Sequence, residues 1–429
     1  MLIKQLNLSN FRNYSHAEVR LHPGLNILVG ENAQGKTNLL EAIELLSTGH
    51  SNRTINESEF IRHGAGKMHI EMHFEARNTD ERLALSLLQN SHLWPKEEFS
   101  SGARTHNERL RKRTIFVNGV SYALLKKLAG RLIIVTFNTN DLNLLRGGPS
   151  FRRDWIDSVM VRLKPSFYEQ LSKYQKVVQQ RNKLLKSLLE NNHFSAKDNN
   201  ELDVWNEQVA KYGAIVIHRR CKILQELIVR AKHYLSLISD QNESLSISYR
   251  CRALRAEEDT KHHHENFYDT KISGLSNEGL SSNDELEEKK LEQILLYSLN
   301  KRRLEEIVRG QTLSGPHRDD IIFHLNDQEA TSFASQGQQR SLVLALKLSE
   351  LEIVKEHLLE SPVLLLDDVL AELDLKRQSL LMSQITSDMQ TIISTTHVSS
   401  FSSDWLNNAH FYEIKSGTIS PSELKAAAR

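Results

Sequence analysis

The chain has 429 residues, and 55 Lys+Arg against 54 Asp+Glu leave a formal charge of +1. This length suits a few domains of about 100–200 residues each, and the near-neutral balance excludes both a basic nucleic-acid tail and an acidic disordered chain, so any charge-driven binding is local. Two cysteines, Cys221 and Cys251, cannot build a disulfide framework or a four-thiolate zinc site.

The opening MLIKQLNLSNFRNY is interrupted by Lys4, Asn7, Asn10 and Arg12 and lacks the apolar core of a secretory signal. No later stretch reaches the roughly 18 apolar residues that span a bilayer. A soluble, cytoplasmic protein is expected. Residues 1–8 alternate as a strand. After His22-Pro23-Gly24, Leu25 to Val29 reads as a second strand ending at Gly30, and from Thr37 the spacing of Leu39, Leu40, Ile43, Leu45 and Leu46 turns helical. Met68 to Phe74 alternates cleanly, and Thr114 to Val117 followed by Asn118-Gly119 predicts a hairpin with a type I′ turn.

Helical spacing runs from about Phe151 to Arg309. Phe167, Leu171, Tyr174, Val178, Leu185 and Leu188 form one seam; Trp205, Val209, Tyr212, Val216, Ile223, Leu227, Tyr234 and Ile238 form another. Joined through the polar stretch 191–200, the two helices are expected to pack as an antiparallel hairpin. Between Ala256 and Glu288, ten acidic residues face only Lys261 and Lys271, the composition of a mobile acidic insert. The chain then returns to α/β, with strands at Ile321–Leu325, Val363–Leu366 and Thr391–Ser394 and a helix from Ser341 to Leu359. The layout is one α/β head in two pieces with a helical lobe between them: residues 1–148, 149–308 and 309–429.

Gly30-Glu31-Asn32-Ala33-Gln34-Gly35-Lys36-Thr37 fits G-x-x-x-x-G-K-[ST] at the junction of strand and helix. Such a loop presents backbone N–H groups and a helix N-terminus to phosphates, as ATP would supply. Lys36 is placed to bridge the β- and γ-phosphates and the Thr37 hydroxyl to hold Mg²⁺. The metal needs a second protein oxygen at the end of a buried strand, and Val363-Leu364-Leu365-Leu366-Asp367-Asp368 supplies it. Asp367 is the expected metal-side carboxylate, and Asp368 is the expected group polarising or aligning the attacking water.

Ser335-Gln336-Gly337-Gln338-Gln339-Arg340 opens a helix, with Ser335 as a natural cap and Gly337 allowing close backbone approach. It resembles the S-x-G-x-Q signature of ABC-type ATPases, followed by Glu372-Leu373-Asp374 in the D-loop position and His397 in the switch position. The resemblance places Ser335, Gly337, Gln339 and His397 at the nucleotide. The wide separation of phosphate loop and Asp367 strand excludes a transporter subunit, and the seams are too short for the long arms of SMC proteins. Asn10 to Tyr14, Ser51 to Thr54, Gly148-Pro149 with Arg152 to Asp157, Ser314 to Asp320, Ser335 to Arg340 and Leu365 to Asp374 together resemble the RecF family of bacterial recombination and gap-repair ATPases.

The resemblance implies an α/β fold, an ABC-type P-loop ATPase head carrying an inserted all-helical lobe as a short antiparallel arm. It implies a homodimer closed by ATP and Mg²⁺, a weak DNA-dependent ATPase, binding to double-stranded DNA at gaps, and cooperation with RecO and RecR in loading RecA. It also makes Arg12 a nucleotide-contacting arginine and the chain a nucleoid-associated cytoplasmic protein without a membrane role. The chain carries extra residues near 89–112 and 256–288. A structural SMC-like clamp without a loading role, and a plain nucleotide hydrolase or kinase, are the competing readings; the signature helix argues against a kinase.

From Ser101 to Arg153 eleven basic residues stand against Glu108 and Asp141, with few aromatics for base stacking. Duplex contact is therefore expected there, at Arg111, Lys112, Arg113, Lys126 and Lys127. His262-His263-His264 are adjacent residues that cannot readily converge on one metal ion, and Cys221 lies in a helical seam as a small core residue.

Overall fold

Alternation at the N-terminus continues through Leu2–Phe11 (β1), which turns back as Tyr14–Arg20 (β2) before Leu25–Val29 (β3) runs up to the phosphate loop. The computed structural model describes residues 1–51, 53–54, 56–89, 113–122, 127–191, 196–239, 242–253, 269–271, 284–358, 360–385, 388–397, 405 and 409–422. In chain order the further strands are Lys67–Ala76 (β4), Thr79–Leu88 (β5), Arg113–Val117 (β6), Val120–Tyr122 (β7), Ile134–Asn138 (β8), Leu245–Arg250 (β9) and Asp269–Lys271 (β10). Asp320–Leu325 (β11), Gln328–Glu329 (β12), Val363–Asp367 (β13), Thr391–Thr395 (β14), His410–Lys415 (β15) and Thr418–Pro421 (β16) follow.

The first unit comprises Met1–Thr139 and Lys355–Arg429. It contains an antiparallel sheet in the order β2-β1-β4-β5-β6-β7 and a second sheet in the order β16-β15-β3-β14-β13-β8. In the second sheet β15, β3, β14, β13 and β8 are parallel, so these strands end at one edge. The helix Lys36–Thr48 is buried from Leu39 to Ser47 with no exposed face. Its Leu39, Ile43 and Leu46 share one core with Leu6, Ile70 and Met72 of the antiparallel sheet and Leu365 and Ile392 of the other. Each such fully buried side chain contributes about 1.5–3 kcal/mol. The predicted hairpin forms: Val117 pairs with Val120 across Asn118 and Gly119, at φ 51° and 81°.

The second unit comprises Asn140–Val354. Its helices Phe167–Asn191 and Ala196–Ser239 run antiparallel: Tyr174 lies against Gly213 while Arg181, further along, bonds Asn206, closer to the chain reversal. Arg181 is wholly buried, donating to Asn206 Oδ1 at 2.8 Å, Thr312 Oγ1 at 2.9 Å and Glu306 Oε2 at 2.6 Å.

Two expectations change. Leu245–Arg250, within the stretch that reads as helical, is a strand; it joins a small sheet in the order β10-β9-β11-β12. Leu245, Ile247 and Tyr249 alternate inward there, a period too short to stand out beside the long helical seams. The expected cuts at 148 and 308 also move to 139 and 354. Pairing of β11 with β9, and the bond from Trp155 Nε1 to Glu350 Oε2 at 2.8 Å, tie the segment after 308 to the helical unit. Most of the acidic insert and the His262-His263-His264 run lie outside the described residues, while Asp284 begins the helix Asp284–Lys301 and pairs with Lys222 at 3.2 Å. No helix among the described residues is long and apolar enough to cross a membrane.

Candidate nucleotide site

Parallel pairing sets the site. Leu28 of β3 and Asp367 of β13 both stand beside Ser394 of β14, so the phosphate loop and the carboxylate strand open on the same edge. Ala33, at φ 63°, and Gly35, at φ 123°, curl the loop into the left-handed region. Lys36 is buried, with Nζ donating to the Gly30 carbonyl at 2.8 Å and the Glu31 carbonyl at 3.1 Å, so the loop closes around its ammonium. Glu31, Asn32 and Ala33 are exposed at the rim.

Thr37 Oγ1 donates to Asp367 Oδ1 at 3.0 Å, joining the two expected metal-side groups. Burial pushes the Asp367 carboxyl above the usual carboxylate range, while hydrogen bonds from Ser394 and Thr37 pull it down. Ser394 Oγ donates to Asp367 Oδ1 at 2.7 Å and accepts from the Asp368 backbone N–H at 3.0 Å. Asp368 itself sits at φ 52°, a left-handed turn that carries its side chain off the strand alternation. One hydroxyl thus fixes both aspartates, a role that sequence spacing does not reveal. A hydroxyl and one carboxylate beside a phosphate loop is a donor set that fits Mg²⁺, which takes its remaining oxygens from phosphate and water.

Arg12 is held by Glu41: Nε donates to Oε2 at 2.9 Å and Nη2 to Oε1 at 2.7 Å, while its guanidinium lies 5.1 Å from the Phe60 ring centroid. Arg53 donates to the same Glu41 at 3.2 Å, and Ser51 Oγ does so at 2.5 Å. Glu41 reads in sequence as one more polar position on a helix, yet its buried carboxylate gathers three donors. His397 is exposed at the end of β14, where its backbone N–H bonds Thr395 Oγ1 at 3.2 Å. Asp374 caps the helix Leu375–Ser383 by accepting from the Arg377 N–H at 2.9 Å.

In the second unit, Ser335 and Gln338 form a capping box at the start of the helix Gln336–His357: Ser335 Oγ accepts from the Gln338 N–H at 3.3 Å and Gln338 Oε1 from the Ser335 N–H at 2.8 Å. Ser335 and Gly337 are exposed, and a Cβ on Gly337 would meet nothing nearer than Ser335 Oγ at 4.0 Å. Gln339 receives Arg146 Nε at 2.8 Å.

The basic excess after Ser101 is largely committed within the fold where it is described. Arg113 bonds the Glu57 carboxylate and the Gly49 carbonyl, and Arg131 bonds Glu81. Arg152 bonds Asp320 at 2.8 Å, and Arg153 the Asp319 carbonyl at 2.8 Å. Lys127 stands over the Tyr122 ring at 5.1 Å. Arg111, Lys112 and Lys126 lie outside the described residues.

The family described as the RecF/RecN/SMC N-terminal domain matches residues 2–418. The DNA replication and repair protein RecF of Trichodesmium erythraeum (strain IMS101) is 36% identical over 430 residues, covering 98% of this chain and 99% of that protein. RecF of Nostoc punctiforme (strain ATCC 29133 / PCC 73102) is 37% identical over 421 residues, covering 98% and 100%. The solved structure of the recombination mediator protein RecF with ATP in the RecFOR pathway superposes with a TM-score of 0.79 at 29% identity, over 98% of this chain and 97% of that one. Sequence agreement over nearly the full length and a shared α/β ABC-type ATPase fold lead to one conclusion: this chain belongs to the RecF family.

Proposed function

We propose that the chain is an ATP-driven DNA-binding switch of replication-gap repair. Two copies close on ATP, the phosphate loop of one facing the Ser335 helix of the other, on duplex DNA beside a single-strand gap. Slow hydrolysis then times the opening, and the closed state helps RecO and RecR load RecA in the cytoplasm. The observation that carries this reading is the Thr37–Asp367 contact at 3.0 Å beside a loop curled around Lys36. The exposed capping box at Ser335 supports the second half of the site: an exposed helix N-terminus with a small residue at Gly337 suits a γ-phosphate delivered by another molecule. The solved RecF relative with ATP agrees with ATP as the nucleotide.

Mg²⁺ held by Thr37 and Asp367 would supply charge neutralisation at the phosphates. The residues do the rest: Lys36 holds phosphate oxygens, Ser394 keeps Asp367 facing Thr37, and Asp368 polarises water in line with the γ-phosphate. Binding and turnover should therefore separate. Lys36→Ala loses ATP affinity, whereas Asp368→Asn retains it and hydrolyses at least about a hundredfold more slowly. Parental turnover in Asp368→Asn would move the water-positioning role to Glu372 or His397.

A further inference from the structure

Two hairpin tips grip the phosphate loop from outside. At the β1–β2 turn, Asn13 Nδ2 donates to the Gln34 carbonyl at 2.8 Å and Tyr14 OH to the Gly35 carbonyl at 2.9 Å. At the β15–β16 turn, the Gly417 N–H donates to that same Gln34 carbonyl at 3.1 Å and the Ser416 N–H to Gln34 Oε1 at 2.6 Å. Gln34 is thus fixed through both its main-chain and side-chain oxygens by segments far apart in sequence.

The consequence follows from peptide geometry. In a trans peptide the C=O and the next N–H point in opposite directions, and the described chain has no cis bonds. Holding the Gln34 carbonyl outward therefore turns the Gly35 N–H inward; holding the Gly35 carbonyl turns the Lys36 N–H inward. These are donors that a phosphate loop offers its ligand. We infer that Asn13, Tyr14 and the Ser416-Gly417 turn are positioning residues that pre-set the Gly35 and Lys36 N–H groups for the phosphates of ATP and ADP. The inference rests on the loop being the nucleotide site.

The packing leaves little freedom for another arrangement. Tyr14 is fully buried. A Cβ on Gly35 would lie 2.7 Å from Asn13 Nδ2 and 2.9 Å from Tyr14 OH, and a Cβ on Gly417 would lie 2.7 Å from the Asn13 carbonyl. Gly417 also sits at φ 75°, where an L side chain is strained. The Asn13 amide is itself oriented, because its Oδ1 accepts from Asn38 Nδ2 at 2.8 Å.

The test is calorimetric titration of the full chain with ATP-Mg²⁺ and with ADP-Mg²⁺, beside the melting temperature without nucleotide. Asn13→Asp keeps the acceptor for Asn38 and removes the donor to Gln34; Tyr14→Phe removes one hydroxyl; Gly417→Ala pushes the hairpin tip off Asn13. Each should raise both dissociation constants alike, about tenfold for one lost hydrogen bond to the loop. Lower melting temperatures with parental dissociation constants in all three variants would overturn the inference and leave these residues as framework only. Lys36→Ala separates the two levels: if it too binds ATP at the parental affinity, the loop is not the nucleotide site. If Lys36→Ala loses affinity while the three variants keep it, only the positioning role fails.

Discussion

His317 and Asp319 lie two residues apart in the Gly315 to Asp320 run, His317 half-buried and Asp319 fully buried, and their shifts act on stability in opposite directions with pH. His317 Nε2 faces the Thr312 carbonyl at 3.2 Å, an acceptor, so the proton sits on Nε2 and Nδ1 receives Tyr174 OH at 2.5 Å. Burial pushes His317 down to about 4 and Asp319 up to about 6. A depressed histidine contributes stability that is present above its unfolded value near 6.5 and lost as pH falls toward about 4. A raised aspartate does the reverse: its contribution is full below its unfolded value near 3.9 and lost as pH rises through about 6. Relative to the parent, His317→Gln should therefore gain melting temperature on acidification from pH 6.5 to 4.5, and Asp319→Asn should lose it. Thermal scans across that range test this; parallel curves would show that neither group changes charge on unfolding. The same scale shows what sequence reveals. Lys36, Thr37 and Asp367, the residues of the proposed nucleotide site, stand out in the sequence because phosphate and metal chemistry dictates such types at such spacing. Ser394, Glu41, Asn13 and Tyr14 act by reaching across the fold, and a pairing between β13 and β14 or between β1 and the loop leaves no periodic trace.

Among elements, a buried ion pair ties the first helix of the hairpin to the short helix Arg303–Arg309. Arg181 and Glu306 are both fully buried and 2.6 Å apart, with Glu306 also accepting from the Leu313 N–H at 2.7 Å. Arg181→Met alone leaves a carboxylate in the core and should destabilise by about 3–5 kcal/mol, whereas Arg181→Met with Glu306→Leu should recover most of that. Urea unfolding measures both; equal losses in the single and double variants would assign the cost to packing. The seams themselves were legible because helical spacing persisted over many turns. The strand Leu245–Arg250 was not, since its six residues make sense only once β11 is paired beside it. The boundary near residue 354 was hidden for the same reason: the Gln336–His357 helix continues through it without a break in pattern.

For the whole molecule, a formal charge of +1 means that the proposed DNA binding must draw on local charge that the fold does not already commit. Arg113 is already bonded to Glu57 and Gly49, so replacing Arg111, Lys112 and Arg113 by Ala should flatten the salt dependence of duplex binding by about two units rather than three. Anisotropy across a salt series reads this slope, and an unchanged slope would place the DNA elsewhere. ATP affinity should survive the triple change.

The central claim is that the site is completed by a second copy, with Ser335 and Gly337 of one chain meeting nucleotide on the phosphate loop of another. Sedimentation velocity of Asp368→Asn, with ATP-Mg²⁺ or ADP-Mg²⁺ at saturation, tests it most directly because hydrolysis is then too slow to blur the states. The expected result is a dimer with ATP, a monomer with ADP, and a monomer with ATP once Ser335→Arg is added. A monomer in saturating ATP-Mg²⁺, or a dimer indifferent to nucleotide and to Ser335→Arg, would contradict the account.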